Sequence, residues 1–368
     1  MSTLRDFSQA LYDFHSKKVG KNDGYYHSIE TLCTVAKDYF VAELENVDES
    51  EFATTYLFGR TPSEKKSRLL TWIKCKIDKI NAVVKCESEN NMLAAIDLYK
   101  ILFDEKTAMP KYKYMTCSVA AHTDFYRVRS AEKYDLYDKK GMFVLSDELE
   151  HLAAANRFNQ SGFACLYLAS NLYLAWEETR RPDFDKLNFS RFQNTRKVEV
   201  LDLTINKDCK FQGQFLMAYL SLLCGAKTTD KDKHNYQYVV PQMMMKVLCH
   251  SLNQYAHINP GKDSPLAGIK YMSSRRFDQK DLLFDDWRLT ISYVFPQRPH
   301  NDTVDVCPYL ANLFKLTEPR TYFFFKIHRY DFSSRKARVS EYEDSLFYQL
   351  EEEMKNLNLK RYDDNSHV

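Results

Sequence analysis

The sequence is poor in glycine and proline. Its 368 residues include 9 glycines and 10 prolines, against about 26 and 18 at average usage. So few glycines exclude collagen-like repeats, glycine-rich phosphate loops and long flexible linkers. The longest apolar run, Phe215–Cys224, covers about half of a membrane span, and no apolar leader follows Met1. These absences predict a cytoplasmic protein with no membrane partner.

Charge of one sign and clustered metal ligands are also missing. The formal net charge is +2, which excludes a general binder of nucleic acids or other polyanions. The nine cysteines contain no C-x-x-C pair, and no two histidines have H-x-x-x-H spacing, so we expect no metal site. An odd number of cysteines is typical of reduced thiols in a cytosol.

The pattern of apolar residues changes near residue 118. Residues 1–115 have helical spacing, whereas later segments are short and β-like, which predicts an α+β fold. We predict a helical domain over 1–118, a mixed domain over 119–320 and a C-terminal strand and helix extension over 321–368. Pro241 is expected to open a helix, and a charged helix is expected over 340–357. The predicted strands are 125–129, 163–169, 198–203, 268–271, 282–284 and 291–295.

Basic residues concentrate in one stretch of the predicted helical domain. They alternate with apolar residues such as Leu69 and Trp72. An RNA-binding face is one interpretation, but the pattern favours a solvated helix face. The basic residues are Arg60, Lys65, Lys66, Arg68, Lys74, Lys76 and Lys79.

The most informative segment runs from Ala155 to Pro182. It reads as a turn with a basic residue, then a strand, then a helix whose first turn Ser170 or Asn171 can cap. Glu178 lies three residues after Ala175, so the two share a helix face with room for a ligand. An ordinary strand–helix unit with a surface pair of glutamates is the alternative.

These residues resemble the RES family, named for its Arg, Glu and Ser. The family pattern G-R-x-N-x-x-G, L-Y-L-A and T-A-x-x-E is matched here in order, with Asn156 in place of Gly, Gln160 in place of a frequent Pro and Leu174 in place of Thr. The similar segments are Phe125–Arg127, Asn156–Gly162, Leu166–Ala169, Leu174–Glu178, Leu201–Thr204, Pro241–Gln242, Gly268–Ser274 and Leu283–Phe284.

The resemblance implies a fold similar to ADP-ribosyltransferases and a cleft that binds NAD as substrate. Bacterial members of the family are commonly toxins that a cognate antitoxin holds inactive. This chain resembles the longer members of the family, in which a HEPN-like helical domain precedes the RES domain. Whether this chain has an antitoxin, and whether it forms a homo-oligomer, stays open at this stage.

The chemistry of NAD suits the residues that the resemblance selects. Cleavage of the nicotinamide–ribose bond develops positive charge at the ribose, which the Glu178 carboxylate would stabilise. The planar guanidinium groups of Arg127 and Arg157 suit the pyrophosphate. Tyr167 would stack on nicotinamide or bond to a ribose. The remaining expectations are Arg129 as a reserve cation or structural ion pair, Ser273 with Ser274 in reserve as donors to a ribose or phosphate oxygen, and Glu177 on the surface.

The predicted activity is therefore loss of nicotinamide from NAD, by hydrolysis or phosphorolysis. Two alternatives stay open: transfer of ADP-ribose to a protein or nucleic-acid acceptor, and a catalytically silent binding module. Because every quoted motif lies after residue 120, residues 1–115 are expected to be dispensable for chemistry, and a fragment 118–368 is expected to retain it.

Overall fold

The fold of the chain was analysed in a computed structural model. The structure describes residues 2–14, 28–89, 93–131, 136–226, 236–273, 287–298, 306–324 and 342–362. The chain divides into two compact units. The first unit comprises residues 1–117, 155–160 and 199–277, and the second comprises 118–154, 161–198 and 278–368.

The first unit is mainly helical, and its helices begin at residues that cap them. Thr61 accepts a hydrogen bond from the backbone of Glu64, and Pro62 occupies the first helical position, where a missing N–H costs nothing. Ser28 caps the preceding helix in the same way. The helices are α1 (Leu4–Tyr12), α2 (Ile29–Asn46), α3 (Pro62–Ser88), α4 (Ala94–Leu102), α7 (Gln212–Cys224) and α8 (Tyr236–Ile258).

Helix α7 lies at the centre of this unit. Every residue from Phe215 to Cys224 is buried, as expected of a helix that is apolar on all sides. Phe215 lies 5.9 Å from Phe7 of α1, measured between ring centroids. The Tyr219 hydroxyl donates to Asn81 Oδ1 of α3 at 2.6 Å. The N-terminal helices and α7 therefore share one core.

The first unit also contains a short parallel pair of strands. Strand β7 (Val198–Leu203) pairs with β8 (Leu266–Met272) from Glu199 onward. Asp202 accepts from Lys270 Nζ at 3.3 Å and from the Thr204 backbone. The strands β1 (Phe103–Asp104) and β2 (Met109–Pro110) form a small hairpin, and β3 is Thr116–Val119.

The second unit contains an antiparallel sheet. Its strands follow the order β12-β10-β6-β4-β5-β9, and β11 pairs with β6. The strands are β4 (Asp124–Ser130), β5 (Cys165–Ala169), β6 (Leu187–Asn194), β9 (Ile291–Pro296), β10 (Phe314–Thr317), β11 (Arg320–Thr321) and β12 (Leu359–Lys360). The helices of this unit are α5 (Lys139–Met142), α6 (Leu172–Glu178), α9 (Pro308–Leu313) and α10 (Leu346–Lys355).

Helices α6 and α10 pack against one face of this sheet. Tyr126 and Val128 of β4 contribute from the strand side, and Leu172 and Leu350 contribute from the helices. Phe189 of β6 is fully buried in the same cluster. This core sets the orientation of α6, which immediately follows β5 in the chain.

The α+β class is confirmed, with helices first and a sheet after them. Five of the predicted strands appear as β4, β5, β7, β8 and β9, whereas 282–284 lies outside the described residues. The prediction that Pro241 opens a helix is wrong, because α8 already includes Tyr236. One backbone hydrogen bond inside α8 is lost at the proline, and burial of its neighbours outweighs that loss. The predicted domain boundaries stay a prediction.

Candidate active site

Strands β4 and β5 separate at the position of Arg127. Strand β4 pairs with β6 along all its seven residues, but with β5 it pairs only between Tyr126 and Ala169. The Tyr167 carbonyl is therefore met on β4 by a side chain, since Arg127 Nη1 donates to it at 3.2 Å. The side chain of Arg127 thus occupies the gap between two strands of one sheet.

The guanidinium of Arg127 is poorly compensated. Burial lowers the pKa of Arg127 to about 9, and the cation of Arg129 lowers it further, while Tyr167 acts in the opposite direction. The group still carries its proton at neutral pH. Its Nε is buried without a hydrogen-bond partner among the described residues. Because a buried donor without an acceptor costs free energy, this position favours an incoming anion.

Arg129 lies two residues along the same strand and has structural contacts. Its Nη1 donates to the Gly141 carbonyl, and its guanidinium carbon lies 4.8 Å from the centroid of the Tyr137 ring. The sequence predicts that Arg129 is a reserve cation or forms a structural ion pair. The structure shows a carbonyl and an aromatic ring as its partners, and the residue adds positive charge beside Arg127.

Tyr167 lies at the centre of β5, where its backbone faces Val294 of β9. Its side chain is half-buried. Since the Tyr167 carbonyl binds Arg127, the strand fixes the relative position of these two residues. The structure therefore brings together two of the predicted site residues.

Helix α6 (Leu172–Glu178) is preceded by its cap, Asn171. The Asn171 side chain accepts from the Leu174 backbone at 2.8 Å, so the cap is Asn171 and not Ser170. Glu178 is exposed at the last helical position. The carboxylate chosen from the sequence is thus accessible to a ligand.

Glu177 has a different environment from its neighbour. It is 5% exposed, and both of its carboxylate oxygens accept from Arg181 Nε at 2.9 Å. Helical geometry separates adjacent side chains by about 100°, so Glu177 faces the protein while Glu178 faces solvent. The expectation that Glu177 is a surface residue is wrong, because its side chain is buried and paired with Arg181.

Glu177→Gln is therefore expected to reduce stability without removing a catalytic group. An amide cannot make the charge-assisted pair of bonds with Arg181, and we expect a loss of about 1–3 kcal/mol in the free energy of unfolding. Urea denaturation of Glu177→Gln and of the exposed control Glu178→Gln checks this. Equal stability of the two variants would contradict it.

Arg157 and Ser273 belong to the first unit. Arg157 Nη1 donates to the carbonyls of Cys224 and Ala226, at 2.6 Å and 3.2 Å, where α7 ends. The cation thus stabilises the carboxyl end of that helix. Ser273 follows β8 and is fully buried, whereas Ser274 lies outside the described residues.

Gln242 belongs to the motif Pro241–Gln242, but the sequence predicts no role for it. Its Nε2 donates to the carbonyls of Asn156 and Asn159, both at 3.1 Å. These two bonds hold the turn that carries Arg157. Its position beside Pro241 in the motif was the signal for such a role.

Basic residues of α3 make hydrogen bonds to backbone carbonyls of the first unit. Lys65 Nζ donates to the carbonyls of Ala53 and Thr55. Lys66 Nζ donates to those of Glu45 and Val47, at the end of α2. These lysines cap neighbouring segments, which argues against the RNA-binding interpretation.

Within the ranges that the structure describes, no group of three or more His, Cys, Asp or Glu side chains is arranged to hold a metal ion. Nor is any helix in those ranges both long and apolar enough to cross a membrane.

Comparison with known families identifies the central segment. Residues 124–286 match the RES domain, so the chain carries a domain of the RES family, as the motifs predicted. A curated relative is the "Putative toxin YopC" of Bacillus subtilis (strain 168), which is 25% identical over 232 residues. That match covers 58% of this chain and 49% of the relative, so it spans about half of that protein's length. No solved structure matches the chain.

Proposed function

We propose that this protein cleaves the bond between nicotinamide and ribose in NAD. The observation that carries the proposal is the environment of Arg127, a half-buried cation between two strands of the RES domain whose buried Nε has no acceptor among the described residues. A pyrophosphate supplies the negative charge and the acceptor oxygens that this group lacks. Arg129 adds a second positive charge two residues away along β4.

The proposed reaction breaks the C–N bond between the ribose and nicotinamide. The bonding electrons leave with the ring nitrogen, nicotinamide departs as a neutral molecule, and positive charge develops on the ribose. The exposed Glu178 carboxylate stabilises that charge, as carboxylates do in glycoside hydrolysis. A nucleophile then bonds to the anomeric carbon and releases its proton.

Tyr167, Arg157 and the serines complete the proposal. Tyr167 provides a half-buried ring beside Arg127 that suits stacking or a hydrogen bond to a ribose. Arg157 is assigned to the pyrophosphate, and Ser273, with Ser274 in reserve, to a ribose or phosphate oxygen. Water or inorganic phosphate is the proposed acceptor. The name of the relative from Bacillus subtilis supports a role as a toxin, and depletion of NAD is the means of toxicity that we propose.

Incubation of the purified full-length protein with NAD tests the reaction. We expect release of free nicotinamide, measured by chromatography, and ADP-ribose as the second product in water. Added phosphate would convert the second product to a phosphorylated ADP-ribose if phosphorolysis operates. Retention of intact NAD over a long incubation would refute the enzyme and favour the silent binding module. Label from NAD appearing on a macromolecule would favour the ADP-ribosyltransferase.

Arg127→Lys is expected to weaken NAD binding. Lysine keeps the charge but lacks the planar guanidinium, whose several donors can bind the Tyr167 carbonyl and a phosphate oxygen at the same time. Loss of one charged hydrogen bond corresponds to about 1.5–3 kcal/mol, so we expect KM for NAD to rise by roughly ten- to a hundredfold. Arg68→Lys, at an exposed position of α3, is the matched control. Equal KM values in the two variants would remove Arg127 from the site.

A further inference from the structure

The C-terminal helix α10 packs directly on α6, the helix that ends at Glu178. Phe347 of α10 lies 5.2 Å from Trp176 and 5.3 Å from Tyr173, measured between ring centroids. Leu350 and Met354 are fully buried in the same cluster. Helix α10 lies outside the segment 124–286 that matches the RES domain, yet it covers a functional helix of that domain.

Glu351 of α10 makes the polar contact between the two helices. It is 7% exposed, and its Oε1 accepts from the Leu172 backbone N–H at 2.6 Å. The first N–H groups of a helix lack acceptors within the helix, and a carboxylate there also complements the helix dipole. The Tyr342 hydroxyl donates to the same oxygen of Glu351. Glu351 thus acts as a second cap of α6, supplied from another helix.

The opposite end of α10 is attached to the sheet. Arg191 of β6 donates through Nη2 to the carbonyls of Lys355 and Leu357, at 3.3 Å and 3.2 Å. Its Nη1 pairs with Asp124 of β4 at 3.1 Å. Helix α10 therefore connects the strand that carries Arg127 to the helix that carries Glu178.

We infer that Glu351 is a positioning residue for Glu178, holding α6 through its first turn while α10 holds it to β4 and β6. This inference rests on the proposed function, because Glu178 matters here as the carboxylate that acts on NAD. The C-terminal segment is on this account part of the catalytic apparatus. Glu351 itself need not contact NAD, so its loss should change turnover more than substrate binding.

The titration of Glu351 supplies a second measurable property. Burial, the largest cause, raises the pKa of Glu351 to about 7, while the Leu172 N–H, the Tyr342 hydroxyl and Lys355 oppose that rise and Glu352 adds to it. From β4, Tyr126 faces the same carboxyl, and its own pKa is raised by burial and by Glu351. The pKa of Tyr342 is raised by burial and by Glu351 as well, so both tyrosines stay protonated.

The sign of the pH effect follows from that raised pKa. The folded protein binds this proton more tightly than the unfolded chain, so the stability that Glu351 contributes is complete below about 4.5 and is lost as pH rises through about 7. In Glu351→Gln the amide does not titrate. We therefore expect the melting temperature of Glu351→Gln to fall less than that of the wild type between pH 5 and pH 8. This range covers about three pH units and includes the pKa of Glu351.

The test combines kinetics with hydrogen exchange in the full-length protein. Glu351→Ala removes the acceptor, Glu351→Gln retains an oxygen for the Leu172 N–H, and Glu352→Ala changes the neighbouring residue on α10, whose partner is Lys355. We expect Glu351→Ala to speed exchange of the α6 amides about tenfold and to lower kcat about tenfold with KM within about twofold. Glu351→Gln should recover most of both, and Glu352→Ala should match the wild type.

Two exchange patterns in Glu351→Ala would each overturn the inference. One is exchange in α6 that is the same in Glu351→Ala and Glu352→Ala. The other is a uniform increase throughout the second unit, which would show a general loss of stability. If Glu351→Ala does not fold, Tyr342→Phe decides, since it removes one donated hydrogen bond and should speed exchange in α6 about threefold, and an unchanged rate would refute the inference.

Failure of the proposed function gives a different pattern. A wild-type protein that leaves NAD intact would refute the enzyme. The exchange rates of the α6 amides would still differ between Glu351→Ala and Glu352→Ala, because capping of the helix does not depend on NAD. Turnover in the wild type with full kcat in a well-folded Glu351→Ala would instead refute only the positioning role.

Discussion

Replacing Glu178 with glutamine is expected to lower the turnover of NAD by on the order of 10²–10³. Glutamine keeps the size and hydrogen-bonding shape of the side chain but removes the charge that stabilises a positively charged ribose in the transition state. Because Glu178 is exposed, the free energy of unfolding should change by less than about 0.5 kcal/mol. KM for NAD should change far less than kcat.

The measurement is nicotinamide release by Glu178→Gln beside a thermal melt that shows the variant is folded. Glu343→Gln, an exposed glutamate outside α6, is the matched control and should behave as the wild type. Full turnover in Glu178→Gln would remove the carboxylate mechanism. The silent binding module would then be the better account of the chain.

A fragment that begins at residue 118 is expected not to fold as the intact chain does. The residues 199–277 remain in that fragment, but they belong to the same compact unit as residues 1–117. Without the N-terminal helices, α7 would expose large side chains such as Phe215 and Tyr219, which are fully buried in the intact unit. Each such exposure costs about 1.5–3 kcal/mol, and several together exceed the stability of a typical domain.

Limited proteolysis and circular dichroism of the 118–368 fragment check this expectation. Phe40→Ala in the full chain tests the same packing with a smaller change, since the Phe40 ring lies 5.6 Å from that of Tyr219 between centroids. It should lower the free energy of unfolding by about 3–5 kcal/mol. Lys76→Ala, a change at a non-buried position of α3, serves as control. A folded fragment that consumes NAD would show that residues 1–117 are dispensable, as the motif positions alone suggested.

This expectation replaces the one drawn from the sequence. All the quoted motifs lie after residue 120, so the sequence predicts an N-terminal domain that chemistry does not need. The packing of α1, α2 and α3 against α7 shows a structural dependence that no motif records. Linear order separates these helices by more than 100 residues, whereas the core joins them.

Local patterns determined a large part of this protein. Short β-like runs of apolar residues placed β4, β5, β7, β8 and β9. Short motifs identified the RES domain, since a few side chains at set spacings suffice for recognition. The choice of Glu178 came from the resemblance to the RES family, whose motif places a carboxylate at this position, and the structure leaves that carboxylate exposed as a ligand-binding group requires.

Contacts between distant segments were decided only by the tertiary structure. Arg127 meets the Tyr167 carbonyl, 40 positions along the chain, where β4 and β5 separate, and its Nε has no acceptor among the described residues. The bond from Glu351 to Leu172 joins residues 179 positions apart. The spacing of apolar residues along one segment indicates which face of that segment is buried. It carries no information about which other segment packs against that face, because this depends on the packing of the whole chain.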